Sequence, residues 1–311
     1  MGGMTVERAT EALQGLYCIV VTPFTATGEF DRKAFADALE RTIGFGYDGV
    51  LIGGTYGEFA TMTAEERTEL FRSAMQVLGG RMPAMLCAAS SDVRIVEELG
   101  ALAVSLGGIP MVTPPYVSEV NNGHIERFFA RVAASVRPLV IYNAPGVGIT
   151  LSPALIERLA DISGIVGVKQ GDLAPLVVDE LVGRVGGRVR LLCASDLQMP
   201  AALAAGFDGL SSTNACALPE LIRESFRAYR TGDSRRGAAI YRSWYDYRMV
   251  ARAFGQPQAV KAAMTLRGWT GGYVRAPLLD LTREQTAALD KVMAPLLARK
   301  QEWAHPVGQA A

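Results

Sequence analysis

Histidine is nearly missing from this sequence: the 311 residues hold only His124 and His305. A His-based triad or a His-rich zinc site is therefore not expected. His305 sits in a polar C-terminal stretch, EWAHPVGQAA, expected to fray, and His124 opens NNGHIERFFARVAASV, where a surface or helix-start role is expected. An excess of one charge is also lacking. Lysine plus arginine and aspartate plus glutamate each total 31, so no global field favours nucleic acid, an anionic membrane or a polyanion, and a small-molecule partner becomes the default. The N-terminal MGGMTVERATEALQG has no apolar run of signal-peptide length, and no stretch approaches the ~20 apolar residues that span a bilayer. Cys18, Cys87, Cys193 and Cys216 form no CxxC pair, and the first three sit in apolar runs where a thiol packs as a small hydrophobe. A soluble protein in a reducing, cytoplasmic setting is expected.

Half of the residues are hydrophobic, enough for one large core. Short apolar runs recur, each followed by an amphipathic stretch: LYCIVV at 16, GVLI at 49, AMLCAA at 84, GIPMV at 108, LVIY at 139, IVGVK at 165, VRLLC at 189 and GLSS at 209. Their spacing of 20 to 35 residues suits a strand, a loop, a helix and a loop. The runs are continuous rather than alternating, as in parallel strands buried on both faces. Between them lie helical signals such as TAEERTELFRSAMQVLGG, with Thr63 as N-cap and Glu65 and Glu66 in the first turn. An α/β chain built as a (β/α)8 TIM barrel is expected over residues 1–232. Beyond it the pattern is purely helical, at 234–254, 258–268 and 283–303, predicting a C-terminal helical region over 233–303 and a flexible tail over 304–311. These helices are too few for a rich core of their own, so they should pack on the barrel and help build an oligomer.

In such a barrel chemistry sits where the strands end. The second run closes on Gly53-Gly54-Thr55-Tyr56-Gly57-Glu58, the fourth on Thr113-Pro114-Pro115-Tyr116, the fifth on Tyr142-Asn143-Ala144-Pro145, and the sixth on Lys169. A lysine at a barrel mouth with apolar residues behind it is held towards its neutral form. A neutral amine attacks carbonyl carbon, and the iminium that results is an electron sink for making or breaking a carbon–carbon bond. The alternative is a lysine paired with Asp172 or Asp196. Tyr142, at the same level of the neighbouring strand, can relay protons, and Thr55 and Tyr116 can extend the relay to solvent, although either tyrosine alone suits packing equally well. The Gly-Gly-Thr-Tyr-Gly-Glu turn offers backbone N–H groups to a carboxylate, or is an ordinary turn that needs glycine. Glu58 is expected to bond local backbone.

GGTYGE, TPPY, YNAP and GVK in this order, with VTPF at 21, SSTN and GGYVRAPL, resemble the dihydrodipicolinate synthase and N-acetylneuraminate lyase superfamily along nearly the whole chain. The resemblance implies a (β/α)8 barrel with C-terminal helices, a homotetramer built from dimers, and a pyruvate-type Schiff base, with no metal or organic cofactor. It makes Lys169 the imine former, Tyr142 the proton donor and acceptor, and Thr55 a relay that also binds carboxylate with Gly54 and the Tyr56 backbone. Tyr116 matches a relay tyrosine that reaches the neighbouring subunit's site in relatives. Ser211 falls near a position whose backbone carbonyl faces the oxo acid.

Three departures bear on the substrate. Dihydrodipicolinate synthases typically continue YNxPxRTG, whose arginine holds the carboxylate of aspartate semialdehyde; here the loop reads YNAPGVGIT. Without that bidentate clamp, lysine biosynthesis is disfavoured. Tyr56 replaces a small hydroxyl residue, which resembles the GTFGE of hydratase-aldolases and suits an apolar or aromatic aldehyde. Gln170-Gly171-Asp172 follows Lys169 where many relatives have an acidic or small polar residue. The chain is thus expected to be a Schiff-base lyase of class I aldolase type, joining or cleaving pyruvate and an aldehyde. A dehydratase of a sugar-derived 2-oxo acid, or a 4-hydroxy-tetrahydrodipicolinate synthase, is the alternative. The non-enzyme alternative is a 2-oxo acid sensor, against which the retention of Lys169, Tyr142, Thr55 and Tyr116 argues.

Overall fold

The computed structural model describes residues 3–303. Eight strands, β1 (Gly15–Ile19), β2 (Gly49–Ile52), β3 (Ala84–Cys87), β4 (Ile109–Val112), β5 (Leu139–Asn143), β6 (Ile165–Gln170), β7 (Arg190–Cys193) and β8 (Gly209–Ser212), close a barrel in sequence order. The pairs from β2 to β8 are parallel. Every strand residue except Arg190 is buried, which explains why the runs do not alternate: one face fills the barrel and the other meets helices. The expected (β/α)8 barrel with C-terminal helices is what the chain forms.

The described residues group into two compact units, one of residues 3–17, 48–52 and 63–211, the other of 18–47, 53–62 and 212–303. In the first, carboxylates tie strand entrances together: Asp48 accepts the Leu16 N–H at 2.6 Å, and Asp208 accepts the Leu191 N–H at 2.8 Å and Arg190 at 2.7 Å. The helix Ala64–Leu78 starts on Thr63, whose side chain accepts the Glu66 N–H while Glu66 accepts the Thr63 N–H. This reciprocal cap satisfies two amides that helix geometry leaves open. His124 lies in the first turn of Asn122–Ser135, accepting the Asn121 N–H at 3.4 Å, the helix-start position its sequence predicts.

In the second unit, Pro219–Arg230 follows β8, and the helices Ser234–Ser243, Tyr245–Phe254, Gln256–Leu266, Arg283–Ala298 and Lys300–Trp303 come after it. The continuous helix predicted over 234–254 breaks at Trp244. The Ser243 hydroxyl takes the Ile240 carbonyl at 2.7 Å, competing with helix propagation, and the fully buried Trp244 ring packs against Tyr241 and Tyr247. Likewise the stretch predicted over 283–303 is split after Ala298. Buried Glu224 is held between Arg227 and Arg236 at 2.9 and 2.7 Å. The tail expected at 304–311, with His305, lies outside the described residues.

Candidate active site

Lys169 is the fifth residue of β6, and the parallel register sets its Cα opposite Tyr142 of β5. Its side chain is almost wholly buried, and Nζ lies 3.8 Å from the centroid of the Tyr142 ring. Burial pulls the amine down from 10.5 to about 7, opposed by the neighbouring Cys87 and Cys193. Among the described residues no carboxylate acts on this amine, so the alternative of a lysine paired with Asp172 or Asp196 is not what the structure holds. An amine about half neutral at pH 7 can attack a carbonyl carbon, and the Tyr142 ring face favours its cationic form.

Two buried thiols, Cys87 and Cys193, act on Lys169. Burial raises both nearby thiols, Cys193 to about 12, so neither competes as a nucleophile. The Ser211 hydroxyl on β8 is buried and donates to the Cys193 carbonyl at 3.2 Å. Asn143, one residue beyond Tyr142, donates to the Leu151 carbonyl and to Gln170 Oε1, both at 3.0 Å, and accepts the Leu151 N–H at 2.8 Å. The Gln170 amide passes the chain on to the Asp172 carbonyl at 2.8 Å. Asn143 and Gln170 therefore fix the two loops that leave β5 and β6 beside the reacting pair. Sequence reasoning named both residues without giving them partners; their adjacency to Tyr142 and Lys169 on paired strands was the available signal. The intervening loop, Ala144 to Thr150, carries no arginine.

Tyr116 is placed differently. Its side chain is 76% exposed, while its backbone N–H and carbonyl bond the Ser91 hydroxyl at 2.8 and 2.9 Å. The structure brings Lys169 and Tyr142 together and leaves Tyr116 on the surface of this single chain.

Gly54, Thr55 and Tyr56 lie in the other unit, after β2. Gly53 takes a positive φ of 62°, Gly54 is extended, and Thr55–Gly57 forms one 3-10 turn with Thr55 and Tyr56 half-buried. Within the turn the N–H groups of Gly57 and Phe59 bond the Gly54 carbonyl, and that of Glu58 bonds the Thr55 carbonyl. The Thr22 hydroxyl holds the Gly57 carbonyl at 2.7 Å. With these amides already committed, Glu58 does not bond local backbone as expected. Its carboxylate reaches Lys261 in the helix Gln256–Leu266 and the N–H of Arg275. Lys261 was missed, although it is the only charge in QPQAVKAAMTL. Among the described residues no cluster of three His, Cys, Asp or Glu is arranged to hold a metal ion, and no helix is long and apolar enough to cross a membrane.

Comparison with known proteins agrees with this geometry. The model of the dihydrodipicolinate synthetase family matches residues 12–295. The chain is 33% identical to 4-hydroxy-tetrahydrodipicolinate synthase 1 of Streptomyces coelicolor over 92% of its own length and 95% of the relative's. It is 29% identical to 4-hydroxy-tetrahydrodipicolinate synthase 1 of Halalkalibacterium halodurans, covering 89% and 95%. Among solved structures it is similar to a prophage protein of that family from E. coli K12 in complex with pyruvate, with a TM-score of 0.86 and 28% identity over 91% and 98% of the two chains. A lysine of depressed pKa at the end of the sixth barrel strand, in a chain matched almost end to end, leads to one conclusion: the protein belongs to the dihydrodipicolinate synthetase family, enzymes of the class I aldolase type.

Proposed function

We propose that Lys169 forms the Schiff base with the carbonyl carbon of pyruvate or a larger 2-oxo acid, and that the enzyme joins pyruvate to an aldehyde or releases it from one. The observation that carries this reading is the buried, uncompensated Lys169 amine set in register against Tyr142. The neutral amine adds to C2, and the carbinolamine loses water once its oxygen is protonated. The iminium then accepts the electron pair when the bond between C3 and C4 breaks, or supplies an enamine when that bond forms. Tyr142 supplies and removes the protons. Thr55 extends the relay and, with Gly54 and the Tyr56 backbone, receives the 2-oxo acid's carboxylate, while Ser211 lies at the β8 side of the bound acid. No metal or organic cofactor is required, because the protonated imine is itself the electron sink.

Tyr116 completes the relay in a neighbouring subunit, which accounts for an exposed aromatic on a loop held by Ser91. A homotetramer built from such dimers, working in the cytoplasm, is the corresponding assembly. We take residues 1–232 as the catalytic barrel and 233–303 as the helical region that supports it. The names of the relatives favour 4-hydroxy-tetrahydrodipicolinate synthesis as a second reading. The arginine-free loop after Tyr142 favours an aldehyde without a carboxylate.

The test is intact-mass spectrometry after incubation with pyruvate and sodium borohydride, followed by peptide mapping. A reduced pyruvyl adduct on Lys169 is expected. Absence of any adduct, with pyruvate and with larger 2-oxo acids, would overturn the reading in favour of a binding or sensing role.

A further inference from the structure

Two of the four cysteines stand apart from the proposed chemistry. Cys18 of β1 and Cys216 of the 3-10 turn Asn214–Cys216 are 198 residues apart in sequence, and their sulfur atoms are 3.5 Å apart. Both belong to the same compact unit. A disulfide bond is about 2.05 Å long, so roughly 1.5 Å of approach separates this pair from a covalent link. Cys18 is enclosed, whereas Cys216 borders a cavity of about 10 Å³, room for about one water-sized molecule, lined among others by Arg41, Thr42, Met264 and Trp269.

We propose that Cys18 and Cys216 form an oxidisable dithiol site, in which hydrogen peroxide, the smallest hydroperoxide, reaches Cys216 through the adjoining cavity and converts the pair to a disulfide. The two thiols have different surroundings, which assigns their roles. The Cys18 S–H, the Val21 N–H and the Arg41 charge all favour the Cys216 thiolate, and its pKa is lowered despite burial. Burial, and the bond to Cys216, keep Cys18 protonated. In its thiol form Cys216 donates to the Ile19 carbonyl at 3.3 Å, a bond given up on ionisation. Arg41 stacks on Trp269, 5.1 Å from its ring, and has a buried Nη2 that no group among the described residues accepts from. That nitrogen can donate to the oxygen displaced from the peroxide.

The steps balance. The Cys216 thiolate attacks the nearer peroxide oxygen, the O–O bond breaks, and the departing hydroxide takes the proton released when the thiol ionised. Cys216 is now a sulfenic acid. The Cys18 thiol attacks its sulfur, the S–O bond breaks, and water leaves with the Cys18 proton. Two thiols and one hydrogen peroxide yield one disulfide and two waters; sulfur loses two electrons and the peroxide gains them. The product staples β1 to the turn that follows β8.

The experiment treats the native full chain with hydrogen peroxide, blocks remaining thiols with iodoacetamide in denaturant, and maps peptides by mass spectrometry. A Cys18–Cys216 cross-linked peptide is expected, reversible by dithiothreitol, with these thiols lost about tenfold faster than Cys87 and Cys193. In Cys18→Ala the reaction should stop at a sulfenic acid on Cys216 that dimedone traps; Cys216→Ser should leave Cys18 reduced. The proposal is overturned if Cys18 and Cys216 remain fully alkylated after native peroxide treatment, if they react no faster than the other two, or if the cross-link forms only when peroxide is added in denaturant.

Discussion

Lys261 donates to Glu58 at 2.5 Å, with side-chain exposures of 2% and 1%, and the same ammonium donates to the Tyr273 carbonyl at 2.7 Å. The other Glu58 oxygen accepts the Arg275 N–H at 2.9 Å. Glu58 holds a left-handed backbone, φ 60°, that a non-glycine residue adopts only when its surroundings compel it. The pair therefore fixes the end of the turn that presents Gly54, Thr55 and Tyr56. The glycines of GGYVRAPL answer to close backbone packing nearby: a Cβ on Gly271 would lie 2.1 Å from the Lys261 carbonyl oxygen, and one on Gly272 would lie 2.6 Å from Pro23.

Removing one partner leaves the other charge buried and uncompensated. Lys261→Met should lower stability by roughly 3–5 kcal/mol, and adding Glu58→Gln should restore part of that loss. Urea unfolding of the two variants measures both effects. A Lys261→Met protein as stable as wild type would show that the pair does not anchor the turn.

Lys169 makes reactivity and stability depend on pH in linked ways. Its folded pKa of about 7 lies below its ordinary 10.5, so between these values the unfolded chain holds the proton and the folded chain does not. Burying this residue is therefore most costly below pH 7, and the cost fades as pH rises towards 10.5. Lys169→Met should abolish the borohydride-trapped adduct while raising stability at pH 7 by on the order of a few kcal/mol, at about 1.4 per pKa unit. In wild type the trapping rate should climb through pH 7 and level off above it. A rate flat from pH 5.5 to 8.5 would contradict the depressed pKa.

Tyr142→Phe keeps the ring face against Lys169 and deletes only the hydroxyl. We expect kcat to fall by roughly 10²–10⁴, the scale for a positioned acid or base, with an adduct still formed slowly. Steady-state kinetics beside a trapping time course separates the two; an unchanged kcat would remove Tyr142 from proton transfer.

Asn143→Ala should act on the loop rather than on the chemistry. Losing its bonds to Leu151 and Gln170 leaves the Leu151 N–H and carbonyl and the Gln170 side-chain oxygen unpaired, at about 1–3 kcal/mol each. Thermal unfolding should show the loss, and KM for the aldehyde should rise more than kcat falls. Equal changes in both would place Asn143 in the reaction itself.

The barrel was legible because its signals are local and repeated. Continuous apolar runs such as GVLI and AMLC coincide with β2 and β3, and the Thr63 and Glu66 cap needs only four consecutive residues. Lys169 and Tyr142 were legible for a related reason: each closes an apolar run, and a barrel assigns chemistry to those positions. What escaped was long-range or subtractive. Glu58 meets Lys261 only after 203 residues of chain, and its local bonding was ruled out by amides already used within the turn. The break at Trp244 escaped because apolar periodicity carries through it; only burial of the indole and the Ser243 bond to Ile240 stop the helix.

That buried indole gives the chain an optical reporter of its own. Trp244, Trp269 and Trp303 are its only tryptophans, and all lie beyond residue 232. Trp244 is sealed beside Tyr241 and Tyr247, with the Arg248 guanidinium 4.9 Å from its ring, whereas the other two are half-buried. Emission excited at the red edge of the absorption band comes only from this C-terminal quarter. A red shift therefore signals loosening of the helices, while events confined to the eight strands pass without colour.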